Sequence, residues 1–246
     1  MTMPARKLDP VTRSRLHEDI VNQMIGRIVE GHFKPGERLP AEREIASNLR
    51  VNRATLREAL KKLEVMGLVE IRHGDGIYVK NYLESGNLEL FQAIIYLDEV
   101  FDRGILADTL SIRRLLAPEM AAHAAKNRTE EQLEALKAIA LADGEDDMLE
   151  RDLAVHHLIA RASGNLLYIF VLNFFNSLFR DHGYLYFGDP ENRRRSARFH
   201  RDIYKAIAAR GEREARRIME DVLAYTERKI FDFYKKHYGA RGAKRR

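Results

Sequence analysis

The chain has 246 residues, a length that one large domain or two ordinary domains can fill. With 45% hydrophobic and 32% charged residues, it has the composition of a water-soluble globular protein. It contains no cysteine, which excludes disulfides, thiolate zinc sites and cysteine nucleophiles. The uncharged stretch 166–178 near the middle is too short to span a bilayer, and the first ten residues lack the apolar core of a signal peptide. We therefore expect a cytoplasmic protein with no membrane partner.

The net charge of +5 is unevenly distributed along the chain. Residues 1–85 hold 15 Lys/Arg against 12 Asp/Glu, whereas residues 86–234 hold 21 against 25. The last twelve residues hold six basic and no acidic side chains. Basic ends around a mildly acidic body favour a polyanionic partner, although surface charge also serves solubility.

The first third of the chain predicts three helices followed by a β-hairpin. Apolar residues at helical spacing predict a first helix up to Gly31, Pro40 opens a short second helix, and Asn52 is suited to cap a third that ends at Gly67. Two alternating runs then flank His73-Gly-Asp-Gly, where glycine supplies the backbone conformation of a hairpin turn. This order of elements predicts a winged helix-turn-helix domain over 11–80.

From residue 88 onward the sequence predicts helices only. The fold class is therefore mainly α, with an N-terminal winged helix-turn-helix, a linker over 81–87, an all-α domain over 88–235, and a basic tail over 236–246. The predicted helices span 88–103, 107–126, 130–141, 146–162, 166–182, 191–209 and 212–235.

Polar side chains gather at the start of the predicted third helix, the end by which a recognition helix enters the major groove. Arginine can pair with a guanine edge, and Asn, Thr and backbone N–H groups can hold phosphates. Taken alone, each of these arginines could be an ordinary solvated charge. The predicted DNA-contacting residues are Arg43, Asn52, Arg53, Thr55 and Arg57, with His73 and Gly74 at the tip of the wing.

Three segments resemble the GntR family of bacterial transcription regulators. They are Pro35-Gly-Glu-Arg-Leu-Pro-Ala-Glu-Arg-Glu, Val51-Asn-Arg-Ala-Thr-Leu-Arg-Glu-Ala-Leu and Gly67-Leu-Val-Glu with His73-Gly. The resemblance covers roughly 12–80. It implies base or phosphate contacts by Arg43, Arg53, Thr55 and Arg57, and a wing contact through His73 and Gly74. It also implies a homodimer that binds a palindromic double-stranded operator.

The helical region resembles the effector-sensing domain of the FadR subfamily, through Arg113-Arg-Leu-Leu-Ala-Pro-Glu, Asp152-Leu-Ala-Val-His and His200-Arg-Asp-Ile-Tyr. Many members bind a divalent metal such as zinc, nickel or manganese with one Asp and three His. The resemblance implies Asp152, His156 and His200 as metal ligands, and Asp152 and His156 do share one helical face. Val222 stands where the family has its third His.

A second likeness favours a different ligand. Ala162-Ser-Gly-Asn and Tyr186-Phe-Gly-Asp-Pro are similar to the fatty-acid-responsive branch of the subfamily, which binds long-chain acyl-CoA and has no metal site. Aromatic residues in between could line a long apolar pocket, or could be plain core. The candidate pocket residues are Tyr168, Phe175, Phe179, Tyr184 and Tyr186.

Enzyme signatures are missing from the sequence. There is no Gly-x-Ser-x-Gly, no P-loop and no His-Glu-x-x-His. A metal-dependent hydrolase built on Asp152, His156 and His200 stays a remote alternative. The sequence predicts a DNA-binding regulator, not an enzyme, with fatty acyl-CoA as the favoured effector and a metal-dependent sensor of a small carboxylate as the alternative.

Overall fold

The computed structural model describes residues 16–97, 102–142 and 147–238, except the side chains of His182 and Tyr238. The predicted start of the first domain at 11, the predicted breaker at 143–145 and most of the basic tail lie outside these residues. The chain divides into two compact units, Met1–Glu99 and Val100–Arg246. No helix in the described part of the chain is long and apolar enough to cross a membrane.

The first unit is built on three helices, as predicted, because each presents an apolar stripe to a common core. Leu56, Leu60 and Leu63 of the third helix are fully buried against Ile25 of the first. The three helices are α1 (Leu16–Val29), α2 (Glu42–Leu49) and α3 (Arg53–Val65).

A two-stranded antiparallel sheet follows the third helix. Strand β1 (Val69–Arg72) pairs with β2 (Gly76–Val79), with Val69 opposite Val79. Alternate residues of the hairpin point inward, so Val69, Ile77 and Val79 are buried in the core of the unit. The winged helix-turn-helix fold is thereby confirmed in its elements and their order.

The segment after the wing differs from the predicted linker. Residues 81–87 include a short helix, α4 (Tyr82–Ser85), and the Ser85 hydroxyl donates a hydrogen bond to the carbonyl oxygen of Gly67 at 2.7 Å. Helix α5 (Leu88–Ile95) then buries Leu90 in the core of the first unit. The first compact unit therefore continues past residue 80, through the helix that the sequence placed at the start of the second domain.

The second unit contains six described helices, in agreement with the predicted all-α class. Small side chains on α6, including Ala117, Ala121 and Ala124, lie in the main core and permit close packing against α11. The helices are α6 (Arg103–Asn127), α7 (Glu130–Ala140), α8 (Met148–Ala162), α9 (Leu166–Phe187), α10 (Pro190–Ala208) and α11 (Glu212–Tyr238).

Helix α9 runs five residues beyond its predicted end at 182. Gly183 continues the helix because its missing side chain makes room for Leu149, since a Cβ there would lie 2.5 Å from the Leu149 side chain. The extra turn carries Tyr186 and Phe187 into a second, smaller cluster with Met148. That cluster borders the polar interior described below.

Candidate DNA-binding surface and polar interior cluster

The start of α3 is fixed by its own first residues. The Asn52 side-chain oxygen accepts a hydrogen bond from the backbone N–H of Thr55 at 2.8 Å and another from the Thr55 hydroxyl at 3.1 Å. This cap satisfies one of the free backbone donors of the first turn. Arg53 is exposed at the N-terminal end of α3, which is the end by which a recognition helix enters the major groove.

Arg57, one turn further along α3, is held by an acidic residue of α2. Its Nε donates a hydrogen bond to the Glu42 carboxylate at 2.8 Å, although 63% of the Arg57 side chain is exposed. The two helices of the helix-turn-helix are therefore linked at the surface by a charged pair. Arg43 lies exposed next to Glu42 on α2.

The wing presents His73 and Gly74 at its exposed tip. Gly74 has φ +77°, the left-handed conformation that a tight turn needs and that glycine adopts without strain. The Arg38 guanidinium donates to the carbonyl oxygen of Asp75, which ties the tip to the segment before α2. Arg72 lies over the Tyr78 ring, 4.2 Å from its centroid.

A cleft of about 1000 Å³ separates α3 from the wing. It is lined by Arg57, His73 and Gly74 from the predicted set, but not by Arg43, Asn52, Arg53 or Thr55, which belong to the α2 and α3 surfaces outside it. Three basic residues that the sequence reading missed also line it, namely Arg38, Lys61 and Arg72. Lys61 follows Arg57 by four residues, so helical spacing alone could have identified it.

The three residues predicted as metal ligands meet inside the second unit. Asp152 Oδ1 lies 2.9 Å from Nε2 of His200, and Asp152 Oδ2 lies 3.6 Å from Nε2 of His156. All three side chains are buried, and the His156 ring stacks on Phe199. Helix α8 thus supplies the carboxylate and one imidazole, and α10 supplies the other.

Arg113 of α6 adds a positive charge to this group. It is 6% exposed, and its guanidinium lies over the Phe179 ring, 5.2 Å from the centroid. Burial lowers the pKa of Arg113, and the nearby Asp152 charge partly opposes that effect. Arginine nevertheless stays protonated at neutral pH.

Burial and neighbouring charges shift the pKa of Asp152 and the pKa of His156. Burial alone would raise the pKa of Asp152, but the hydrogen bond from His200 and the charges of His156 and Arg113 outweigh it and lower that pKa. Burial lowers the pKa of His156 to about 4. At neutral pH the cluster therefore holds one carboxylate, one guanidinium and a neutral His156.

This arrangement does not fit a divalent metal ion. Each Asp152 oxygen already faces an imidazole nitrogen, and the buried Arg113 guanidinium repels a second cation beside that carboxylate. Val222, at the position of the family's third histidine, is packed in the apolar core. Within the described residues, no group of three or more His, Asp or Glu side chains is disposed to hold an ion. The predicted zinc, nickel or manganese site stays a prediction that the geometry does not support.

Two family models cover almost the whole described chain. The model for bacterial regulatory proteins of the gntR family matches residues 16–79, and the model for the FadR C-terminal domain matches residues 80–232. The chain belongs to the GntR family, with a FadR-type C-terminal domain. It is a DNA-binding transcription regulator and not an enzyme.

Curated relatives of this GntR-family regulator carry a more specific name. A fatty acid metabolism regulator protein of Shewanella sp. (strain MR-4) is 33% identical over 181 residues, which cover 73% of this chain and 75% of the relative. One from Pasteurella multocida (strain Pm70) is 31% identical over 193 residues, 78% of this chain and 80% of the relative. The solved structure of Lar, which controls the agr system of Listeria monocytogenes, covers 90% of this chain and 99% of its own at a TM-score of 0.53. At 16% identity, it supports the fold alone.

The structure brings only some of the regulator's predicted effector residues together. Phe179 and Tyr186 lie together beside Arg113, with ring centroids 6.2 Å apart, and burial raises the pKa of Tyr186 to about 12. Phe175 is buried on the same helix, whereas Tyr168 stacks on His123 and packs against the main core. Tyr184 is 62% exposed and is not brought to the others.

Proposed function

We propose that this regulator binds a fatty acyl-CoA through its helical domain and that binding alters its affinity for a palindromic operator, which it reads as a cytoplasmic homodimer. The observation that carries the proposal is the similarity, over both domains, to relatives named for fatty acid metabolism. The rings of Tyr186 and Phe187, which are buried, and of Phe179, which is partly buried, are compatible with it, because such rings suit an acyl chain.

The operator contacts in this proposal come from α2, α3 and the wing. Arg53 and Arg57 read base edges, Arg43 and the capped start of α3 hold phosphates, and the wing tip approaches the minor groove. In a dimer, two recognition helices must match half-sites about 34 Å apart. An effector that changes their separation changes operator affinity, which is the required coupling between the two sites.

The test combines DNA binding with effector binding. A duplex is first selected from a random pool by the wild-type protein, and its dissociation constant is measured by fluorescence anisotropy with oleoyl-CoA, with CoA alone and without effector. We expect oleoyl-CoA to shift the constant at least about tenfold, a coupling energy typical of allosteric effectors, and CoA alone to leave it unchanged. An operator affinity that no acyl-CoA changes, together with no acyl-CoA bound in native mass spectrometry, refutes the proposal.

The second candidate is a sensor of a small carboxylate that works through a bound metal. The meeting of Asp152, His156 and His200 is the observation in its favour, and the poor fit to an ion is the observation against it. Metal analysis of the purified protein separates the two candidates. One zinc, nickel or manganese per chain that is lost in His156→Ala favours the second.

A further inference from the structure

The interior of the helical unit contains a group of buried polar side chains. Beside the Asp152 cluster, the hydroxyl of Thr226 donates to the Tyr186 hydroxyl at 3.3 Å, and the Asn192 amide donates to the Tyr186 carbonyl oxygen at 2.8 Å. The buried polar residues of this region come from α6, α8, α9, α10 and α11. They are Arg113, Asp152, His156, Tyr186, Asn192, Ser196, His200 and Thr226.

Two atoms of this polar interior have no hydrogen-bond partner among the described residues. They are Nε of Arg113 and Nδ1 of His200. Native proteins leave few buried polar groups unsatisfied, because each one costs free energy that folding must recover elsewhere. Two such atoms in one cluster mark a place where a bound molecule or a water can supply partners.

The two atoms require different partners. Nε2 of His200 faces the Asp152 carboxylate, which only accepts, so Nε2 carries a hydrogen. Nδ1 of His200 is suited to a hydroxyl or a water, either of which can donate or accept a hydrogen bond. Arg113 has only donors, its Cζ lies over the Phe179 ring, and its Nε has no acceptor among the described residues. The guanidinium is thus the group suited to an anion.

The charges beside Arg113 limit which anion fits. Asp152 is a nearby anion, so its carboxylate repels a doubly charged phosphate more strongly than a singly charged head group. A carboxylate also matches the fork of the guanidinium with two parallel hydrogen bonds. The apolar ring of Phe179 and the rings next to it provide a surface for an apolar tail.

We propose that the Arg113 guanidinium binds the carboxylate of a monocarboxylic acid directly, with no metal ion between them. The inference rests on the proposed function only in taking the helical domain as the effector-binding domain. The two differ in the ligand head group, which is a thioester in the proposed function and a free carboxylate in this inference. A thioester presents a neutral carbonyl oxygen, whereas Arg113 is matched to a charged one.

The test uses the full-length protein after dialysis against EDTA, with binding measured by isothermal titration calorimetry. The probes are decanoate, butyrate, 1-decanol and decanoyl-CoA. We expect decanoate to bind, and 1-decanol to bind at least about tenfold more weakly, because only the acid offers a charged acceptor. Butyrate tells whether the carboxylate belongs to a short acid or to a fatty acid. If butyrate binds as tightly as decanoate, the site takes short acids. If butyrate binds much more weakly than decanoate, the site takes fatty acids.

Arg113→Met is the decisive variant, and Arg114→Met is its matched control. Arg114 is the adjacent residue, but it is exposed and forms an ion pair with Glu227 at 2.8 Å. We expect Arg113→Met to weaken decanoate binding about 10- to 100-fold and to leave 1-decanol binding unchanged, while Arg114→Met changes neither. Arg113→Lys keeps the charge without the fork and should give an intermediate affinity, which provides the test if Arg113→Met does not fold.

Three results overturn the inference. One is decanoate binding that survives in a folded Arg113→Met protein. Another is decanoate binding that disappears with EDTA and returns with zinc. The third is binding of decanoyl-CoA without binding of either carboxylate, which leaves the proposed acyl-CoA function standing while this inference fails. Carboxylate binding without acyl-CoA binding supports this inference and refutes the proposed acyl-CoA function.

Discussion

Replacing Arg57 by alanine should weaken specific DNA binding while leaving the winged helix-turn-helix folded. The Arg57 side chain is 63% exposed and its ion pair is with Glu42, which is 30% exposed, so the pair contributes about 1 kcal/mol or less to stability. A bidentate contact of arginine with a base edge contributes about 1–3 kcal/mol, or about 5- to 150-fold in affinity for each half-site. The loss in binding should therefore exceed the loss in stability.

The assay measures both quantities on the same variants. Urea unfolding gives the free energy of unfolding, and anisotropy at fixed salt gives the dissociation constants of the selected duplex and of a scrambled one. Arg27→Ala is the matched control, because Arg27 is an exposed arginine on α1, away from the cleft. We expect Arg57→Ala to lose affinity mainly for the selected duplex, and Arg27→Ala to lose none.

Glu42 adds a second test of the same argument. If its carboxylate positions Arg57 for base contact, Glu42→Gln lowers the ratio of specific to non-specific affinity in the wild-type background and has no such effect in Arg57→Ala. This coupling is what a double-mutant cycle isolates. Equal effects of Glu42→Gln in both backgrounds would refute the positioning role, and normal operator binding by Arg57→Ala would refute the recognition-helix assignment.

Two further predictions concern the first unit. Gly67→Ala should lower the free energy of unfolding by about 2 kcal/mol or more, since Gly67 has φ +81° and a Cβ there would lie 2.0 Å from the Ser85 carbonyl oxygen. In urea unfolding Gly31→Ala, at φ +78° with open space around it, should cost only about half as much, and equal costs would contradict the steric argument. Operator affinity should fall steeply with salt, and Lys61→Ala should reduce the slope of log K against log salt concentration by about 1, because it removes one charge that can neutralise a phosphate. A flat salt dependence in the anisotropy titrations would contradict the assignment of the cleft as a DNA surface.

The DNA-binding domain was largely predictable because its signals are local. Asn52 caps α3 through a residue three positions away, and the glycines of the wing turn lie within the four residues that form it. What the sequence reading missed there is non-local. Arg38 reaches the Asp75 carbonyl across 37 residues, and Leu90 joins a core made mostly by residues 20–79. Neither interaction leaves a periodic pattern.

The helical domain was predictable in its class, but less so in its interior. The four-residue spacing of Asp152 and His156 indicated a shared face, and the family resemblance added His200, which the structure places within hydrogen-bond distance. Arg113 was not recognised as part of this group, because its position depends on the packing of α6 against α8 and α9. In the sequence, Arg113 is one of two adjacent arginines, and only burial distinguishes it from the exposed Arg114.

That difference in burial explains why Arg113 is more informative about the ligand than the aromatic residues of α9. An aromatic ring in a helical core is fully accounted for by the apolar area it buries, so Phe175 or Phe187 needs no ligand to explain it. A buried guanidinium is not accounted for in this way, because its desolvation must be offset by hydrogen bonds or by an opposing charge. Asp152 supplies the charge, but its two oxygens face His156 and His200, and Nε of Arg113 is left without an acceptor among the described residues. A carboxylate bound at Arg113 supplies that acceptor.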